Sequence, residues 1–193
     1  THTVLNVVFT MFSKLQDSIE KLRKGFLMTL RVVSFISFPI AGGILSVSGS
    51  FTLVVLGEKW EPIIPLIFIL CFQAASRSIK GIFGAVVKGQ GYPEIETKVN
   101  IIQIIIIVSL IYPLSQSLGV KGVAIVMALQ TLLTIPLLLK YTLPKLDMRI
   151  IDFLQAISFP LLATSIMVGV LLFLRLPFWW EIMIGTAIYG LAI

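Results

Sequence analysis

The chain has 193 residues, 58% hydrophobic and only 12% charged, with a mean hydropathy of +1.04 and a net charge of +6. Soluble domains carry about 25% charged residues, and a chain this apolar cannot clothe itself in polar surface, so a soluble fold is excluded. A single cysteine, Cys71, excludes a disulfide framework. Runs such as "IIQIIIIVSLIY" lack the alternation of barrel strands, which leaves an all-α integral membrane protein.

In chain order, residues 1–12 form the end of a preceding transmembrane helix, and residues 13–24 a cytoplasmic amphipathic segment. There Leu15, Ile19, Leu22, Phe26 and Leu30 recur at helical spacing, and Asp17–Lys21 and Glu20–Lys24 are acid-to-base pairs four apart. Residues 25–193 then form a transmembrane lobe of about six spans. The first, 25–47, has Arg31 near its inner end, a bend expected at Pro39, and Gly42 and Ser46 spaced for close helix contact. After the loop "LGEKWEP" come 62–87, 99–114, 122–139 with Pro136, 153–173 with Pro160, and 178–193. Trp60, Trp179 and Trp180 fall at span edges, as an aromatic belt requires. The chain starts on Thr and ends on Ile193 inside an apolar run, so the expectation is a piece of a longer protein, truncated at both ends.

Loop cations set the orientation. Lys14, Lys21, Arg23, Lys24, Arg31, Lys88, Lys98, Lys140, Lys145 and Arg149 fall on one side, and Lys59, Lys121 and Arg175 on the other. The richer side is cytoplasmic by the positive-inside rule. The basic balance is thereby explained by topology, and a nucleic-acid partner is not needed.

Arg77 and Lys80 stand inside the second span, between the uncharged runs 62–76 and 81–87. Gln73, Arg77, Lys80 and Gly84 share one helix face. Three arrangements remain open: a helix that ends near Lys80, leaving 81–87 interfacial; cations snorkelling to the inner interface; or a water-filled cavity in which they hold an anion. Elsewhere Gln103 and Gln130, each alone in its span, suit interhelical hydrogen bonds, Thr131 and Thr134 suit bonds to their own helix, and Asn100 lies near an inner edge.

Catalytic chemistry has no parts here. The one histidine is His2, there is no HExxH, GxSxG, CxxC or Walker pattern, and all nine carboxylates lie in loops or at span edges. No catalytic residues, metal site or cofactor are expected.

The stretches "FSKLQDSIEKLRKGF" (Phe12 to Phe26), "LGEKWEP" (Leu56 to Pro62), "KGQGYPEIETKVN" (Lys88 to Asn100) and "GVKGVAIVMAL" (Gly119 to Leu129) resemble the C-terminal half of Wzx-type, colanic-acid-exporter-like polysaccharide flippases of the MOP exporter superfamily. The resemblance covers about residues 9 to 140. It implies the second lobe of a two-lobe, MATE/MOP-like transporter in the bacterial cytoplasmic (inner) membrane. Such a protein moves an undecaprenyl-diphosphate-linked oligosaccharide repeat unit outward for surface polysaccharide biosynthesis. The partners it implies are the lipid-linked oligosaccharide, the bilayer and a missing N-terminal lobe of the same chain. Joined to the basic stripe, it makes Arg77, Lys80 and Gln73 the expected pyrophosphate-binding residues. The alternatives are a MATE-like drug/cation antiporter, which wants an intramembrane carboxylate, and a membrane scaffold subunit.

Overall fold

A computed structural model describes Phe12 and residues 18–174. The expected span 178–193, with Trp179 and Trp180, lies outside the described residues, as do the pair Asp17–Lys21 and Leu15. Five long helices carry the described chain: α1 (Ile19–Phe51), α2 (Ile64–Gly89), α3 (Pro93–Leu118), α4 (Val120–Thr142) and α5 (Ile150–Leu174). Each lies in a stretch long and apolar enough to cross a bilayer, so the protein is a multi-pass, all-α membrane protein. A π-helical turn (Thr52–Leu56) and a 3-10 turn (Glu58–Ile63) make the loop after α1, and a 3-10 turn (Pro144–Leu146) follows α4.

The helices do not pack in chain order. α5 lies against α1, α1 against α2, α2 against α4, and α4 against α3, with a lesser contact between α2 and α3. What unites them is one end. The main core gathers Leu22, Phe26 and Leu30 of α1, Ile82, Phe83 and Val86 of α2, Val99 of α3, Leu138 of α4 and Phe153 of α5. Those residues flank Lys21, Lys24, Lys88, Lys98, Lys140 and Arg149, so the cation-rich loops converge on a single end of the bundle. Phe83 is the hub there. It is 1% exposed and stacks edge-on against Phe26 at 5.1 Å and obliquely against Phe153 at 5.7 Å, joining α2 to α1 and α5.

α1 is one unbroken helix of 33 residues, roughly 50 Å long, so it overshoots a hydrocarbon core of about 30 Å. The helix passes from residue 24 to 25 without a break, and Glu20 and Lys24 pair at 2.7 Å. Its buried positions, Leu22, Phe26, Leu30, Ser34, Phe38, Gly42 and Ser46, recur every fourth residue. Such a stripe advances about 40° per step around a helix of 3.6 residues per turn, so one helix serves two neighbours, α2 and α5. Ile19, grouped with Leu22 by spacing, is instead 55% exposed. The Gly42–Ser46 pair performs as its spacing foretells: a Cβ on Gly42 would stand 2.7 Å from Thr164 Cγ2 and 2.9 Å from Val168 Cγ2, so α5 rests directly on the α1 backbone. Pro39 sits within this helix without ending it.

Three buried hydroxyls are satisfied by their own helix, while those of Ser34, Thr52, Thr142 and Thr164 have no hydrogen-bond partner among the described residues. Ser46 donates to the Gly42 carbonyl at 2.9 Å, Thr131 to Met127 at 3.0 Å and Thr134 to Gln130 at 2.8 Å. Gln130 departs from the interhelical role its isolation suggests: its amide donates to Thr131 on its own helix at 2.9 Å.

Candidate functional site

α2 positions the basic stripe. Proline at its first turn costs no hydrogen bond. Its far end closes in a Schellman motif: Tyr92 N–H donates to the Val87 carbonyl at 2.8 Å and Gly91 N–H to Lys88 at 3.0 Å, with Gly91 at φ 79°, a conformation glycine adopts without strain. The helix therefore runs to Gly89, and a helix ending near Lys80 is ruled out. The segment expected to be interfacial in that case is instead the centre of the core: Ile82 to Val87 are all buried. Burial there needs the segment to stay helical, because only then do Ile82, Phe83 and Val86 face α1, α4 and α5 together.

Gln73, Arg77, Lys80 and Gly84 lie within roughly 60° of one face of α2, at 100° per residue. The turn at Gly91 folds α3 back along that face. Residues on either side of the turn meet: Lys88 pairs with Glu96 at 2.9 Å, and the Glu96 carboxylate lies over Gly84, where a Cβ would stand 3.1 Å from Glu96 Oε1. One turn further, Lys80 Nζ donates to Gln103 Oε1 and, at 3.5 Å, to Asn100 Oδ1. Asn100 and Gln103 are three apart on α3, hence on one face. The seam between α2 and α3 is polar over three turns.

The two cations are thus in different situations. Lys80 is half-buried and held by two neutral amides across the seam. These accept two of its three N–H groups and leave its charge uncancelled. Arg77 is exposed, and among the described residues no carboxylate or amide pairs with it. Gln73 is half-buried one turn beyond. Glu96, the carboxylate closest along the seam, is engaged by Lys88. The stripe carries net positive charge, its guanidinium is available, and its ammonium is fixed in place.

Sequence spacing found the stripe and an interhelical role for Gln103. It missed Asn100, which looked like an unremarkable edge residue. The signal was present in the hairpin: once Gly91 is taken as the turn, the positions opposite Lys80 are those near residues 100 to 103. Other polar features serve the fold. Arg23 on α1 bonds Asp152 on α5 at 3.0 Å, Asp152 also accepts the Arg149 backbone N–H at 3.0 Å, and Lys145 stacks on Tyr92 at 3.9 Å. A polar pocket of about 440 Å³ among Arg23, Asp147, Arg149 and Asp152 is the space around these ties. Among the described residues no group of histidines, cysteines or carboxylates is placed to hold a metal ion.

Comparison with known proteins agrees with this architecture. Residues 1–65 match the family described as "Polysaccharide biosynthesis protein". The chain is 31% identical to an uncharacterized membrane protein in the cps region of Klebsiella pneumoniae, over 98% of this chain and 41% of the relative. It is 34% identical to the lipopolysaccharide biosynthesis protein WzxC of Escherichia coli (strain K12), over 63% of this chain and 25% of that one. With the teichuronic acid biosynthesis protein TuaB of Bacillus subtilis (strain 168), identity is 32% over 46% of this chain and 18% of that one. The chain therefore spans less than half the length of these curated relatives. No solved structure matches it. Its membrane helices and these matches agree: the chain is similar to membrane proteins of polysaccharide biosynthesis, WzxC and TuaB among them.

Proposed function

We propose that the chain is one lobe of a flippase in the bacterial inner membrane, which carries an undecaprenyl-diphosphate-linked oligosaccharide across for surface polysaccharide assembly. The observation that carries this is the state of the α2 stripe: an exposed Arg77 without a counter-charge among the described residues, beside a Lys80 fixed by Asn100 and Gln103. A guanidinium matches the geometry of phosphate oxygens, and a neighbouring ammonium with one free N–H adds a second donor. Gln73 supplies an amide one turn further out. The pyrophosphate binds at Arg77, the glycan occupies water between this lobe and an N-terminal lobe, and the prenyl tail stays in lipid. Rocking of the lobes exposes the site to each side in turn. No bond is made or broken, so the protein is a transporter and not an enzyme.

The test is surface polysaccharide export by the full-length protein at matched membrane levels. Arg77→Gln removes the free fork and is expected to cut export about tenfold or more, the scale of one charged hydrogen bond. Lys80→Gln keeps an amide in the seam and is expected to cost less. Wild-type export by Arg77→Gln would remove the anion site.

A further inference from the structure

A groove of about 600 Å³ runs between α1 and α5, away from the α2 stripe. Its walls include Phe35 and Ile36 of α1 and Phe159 and Pro160 of α5. Its polar groups, Arg31 and Gln155, sit together at the basic end. α1 and α5 run parallel there, tied by Arg23 and Asp152 at 3.0 Å. Arg31 is seven residues beyond Lys24, about 10 Å along the axis, and Gln155 six beyond Arg149, about 9 Å. A helical side chain leans towards its own N-terminus, so Arg31 reaches back to the basic end of the groove. Arg31 is exposed and has no carboxylate partner among the described residues.

We infer that this groove seats an anionic phospholipid of the leaflet at the basic end, its phosphate on Arg31 and one acyl chain along Phe35, Ile36 and Phe159. Charge complementarity argues for that occupant. A lone cation at this depth is costly unless an anion answers it, and basic pockets between transmembrane helices take acidic headgroups. The surroundings supply the lipid. Met28, Val32, Ile36, Ile40 and Ile44 make an exposed apolar ridge along α1, and Leu162 and Ile166 continue one on α5, so the groove opens on surface that only acyl chains suit. Gln155 gives the headgroup a neutral donor beside the guanidinium. The site is independent of Arg77 and of the transported substrate.

The test uses full-length protein in bilayers containing lipids with a photoreactive acyl chain, either phosphatidylglycerol or phosphatidylcholine, with labelled peptides identified by mass spectrometry. Peptides carrying Ile36 and Phe159 are expected to label with the acidic lipid about fivefold over the zwitterionic one, the scale of one basic residue at the surface. Labelling of the α3 face at Val108 serves as the reference and shows no such preference. Arg31→Gln abolishes the preference and Arg31→Lys keeps part of it. Free inorganic phosphate does not compete, which separates a lipid headgroup from a soluble anion. Equal labelling by both lipids in the unaltered protein overturns the inference. So does a groove that neither lipid labels because another segment or protein covers it, a preference that survives Arg31→Gln, or competition by inorganic phosphate.

Discussion

Single residues decide how closely these helices approach. Gly122 lies against the Leu114 backbone carbonyl where α4 turns back on α3, and Gly43 on α1 faces open space. A methyl at the first position must push backbone, and at the second it meets nothing. Gly122→Ala is expected to destabilise the protein by about 2 kcal/mol through overpacking. Gly43→Ala is expected to be neutral, or to stabilise by up to about 1 kcal/mol as an ordinary helix-interior change. Thermal unfolding of the detergent-solubilised protein checks both, and equal midpoints for the two variants would contradict the close approach. At this scale the sequence was legible where small residues recur on a helix, as at Gly42 and Ser46. It was poorly legible where a partner comes from another helix: Asn100 has no local feature that marks it as an acceptor for Lys80.

At the scale of helices, α2 is the element on which the others depend. Its basic-end third, Ile82 to Val87, is buried, and Phe83 touches rings from two other helices. Phe83→Ala removes a hub with no side chain able to fill the space, at a cost of about 3 kcal/mol. The expected result is a large drop in melting temperature with helix content retained before the transition. A loss no greater than that of Phe72→Ala, on the exposed side of α2, would contradict the hub role. Hydropathy located all five helices because each apolar run is bounded by charge or glycine. It could not give their packing order. Lipid and neighbouring helices are equally apolar, so Ile104, Ile105 and Val108, all exposed on α3, look the same in sequence as residues that face a partner. The end of α2 was also ambiguous, since a cation pair inside a helix resembles a helix terminus until the Gly91 turn is seen to close the chain ten residues later.

For the whole molecule, the alternation of cations along the sequence becomes a convergence in space, with the aromatic core lying beneath the basic loops. That fixes a testable orientation. On a Cys71→Ser background, a cysteine at Lys59 is expected to react with membrane-impermeant maleimide on intact cells, and one at Lys145 only after permeabilisation; the reverse pattern would invert the topology. In the proposed orientation the α2 stripe lies on the basic side of mid-membrane, where the proposed lipid-linked substrate would first meet charge. The most direct test of the proposed anion site is the affinity of purified full-length protein in lipid nanodiscs for undecaprenyl diphosphate against undecaprenol, which lacks the phosphates. At least about a tenfold preference for the diphosphate is expected, lost in Arg77→Gln and largely kept in Lys80→Gln. Equal affinity for the two lipids, or a preference untouched by Arg77→Gln, would contradict it.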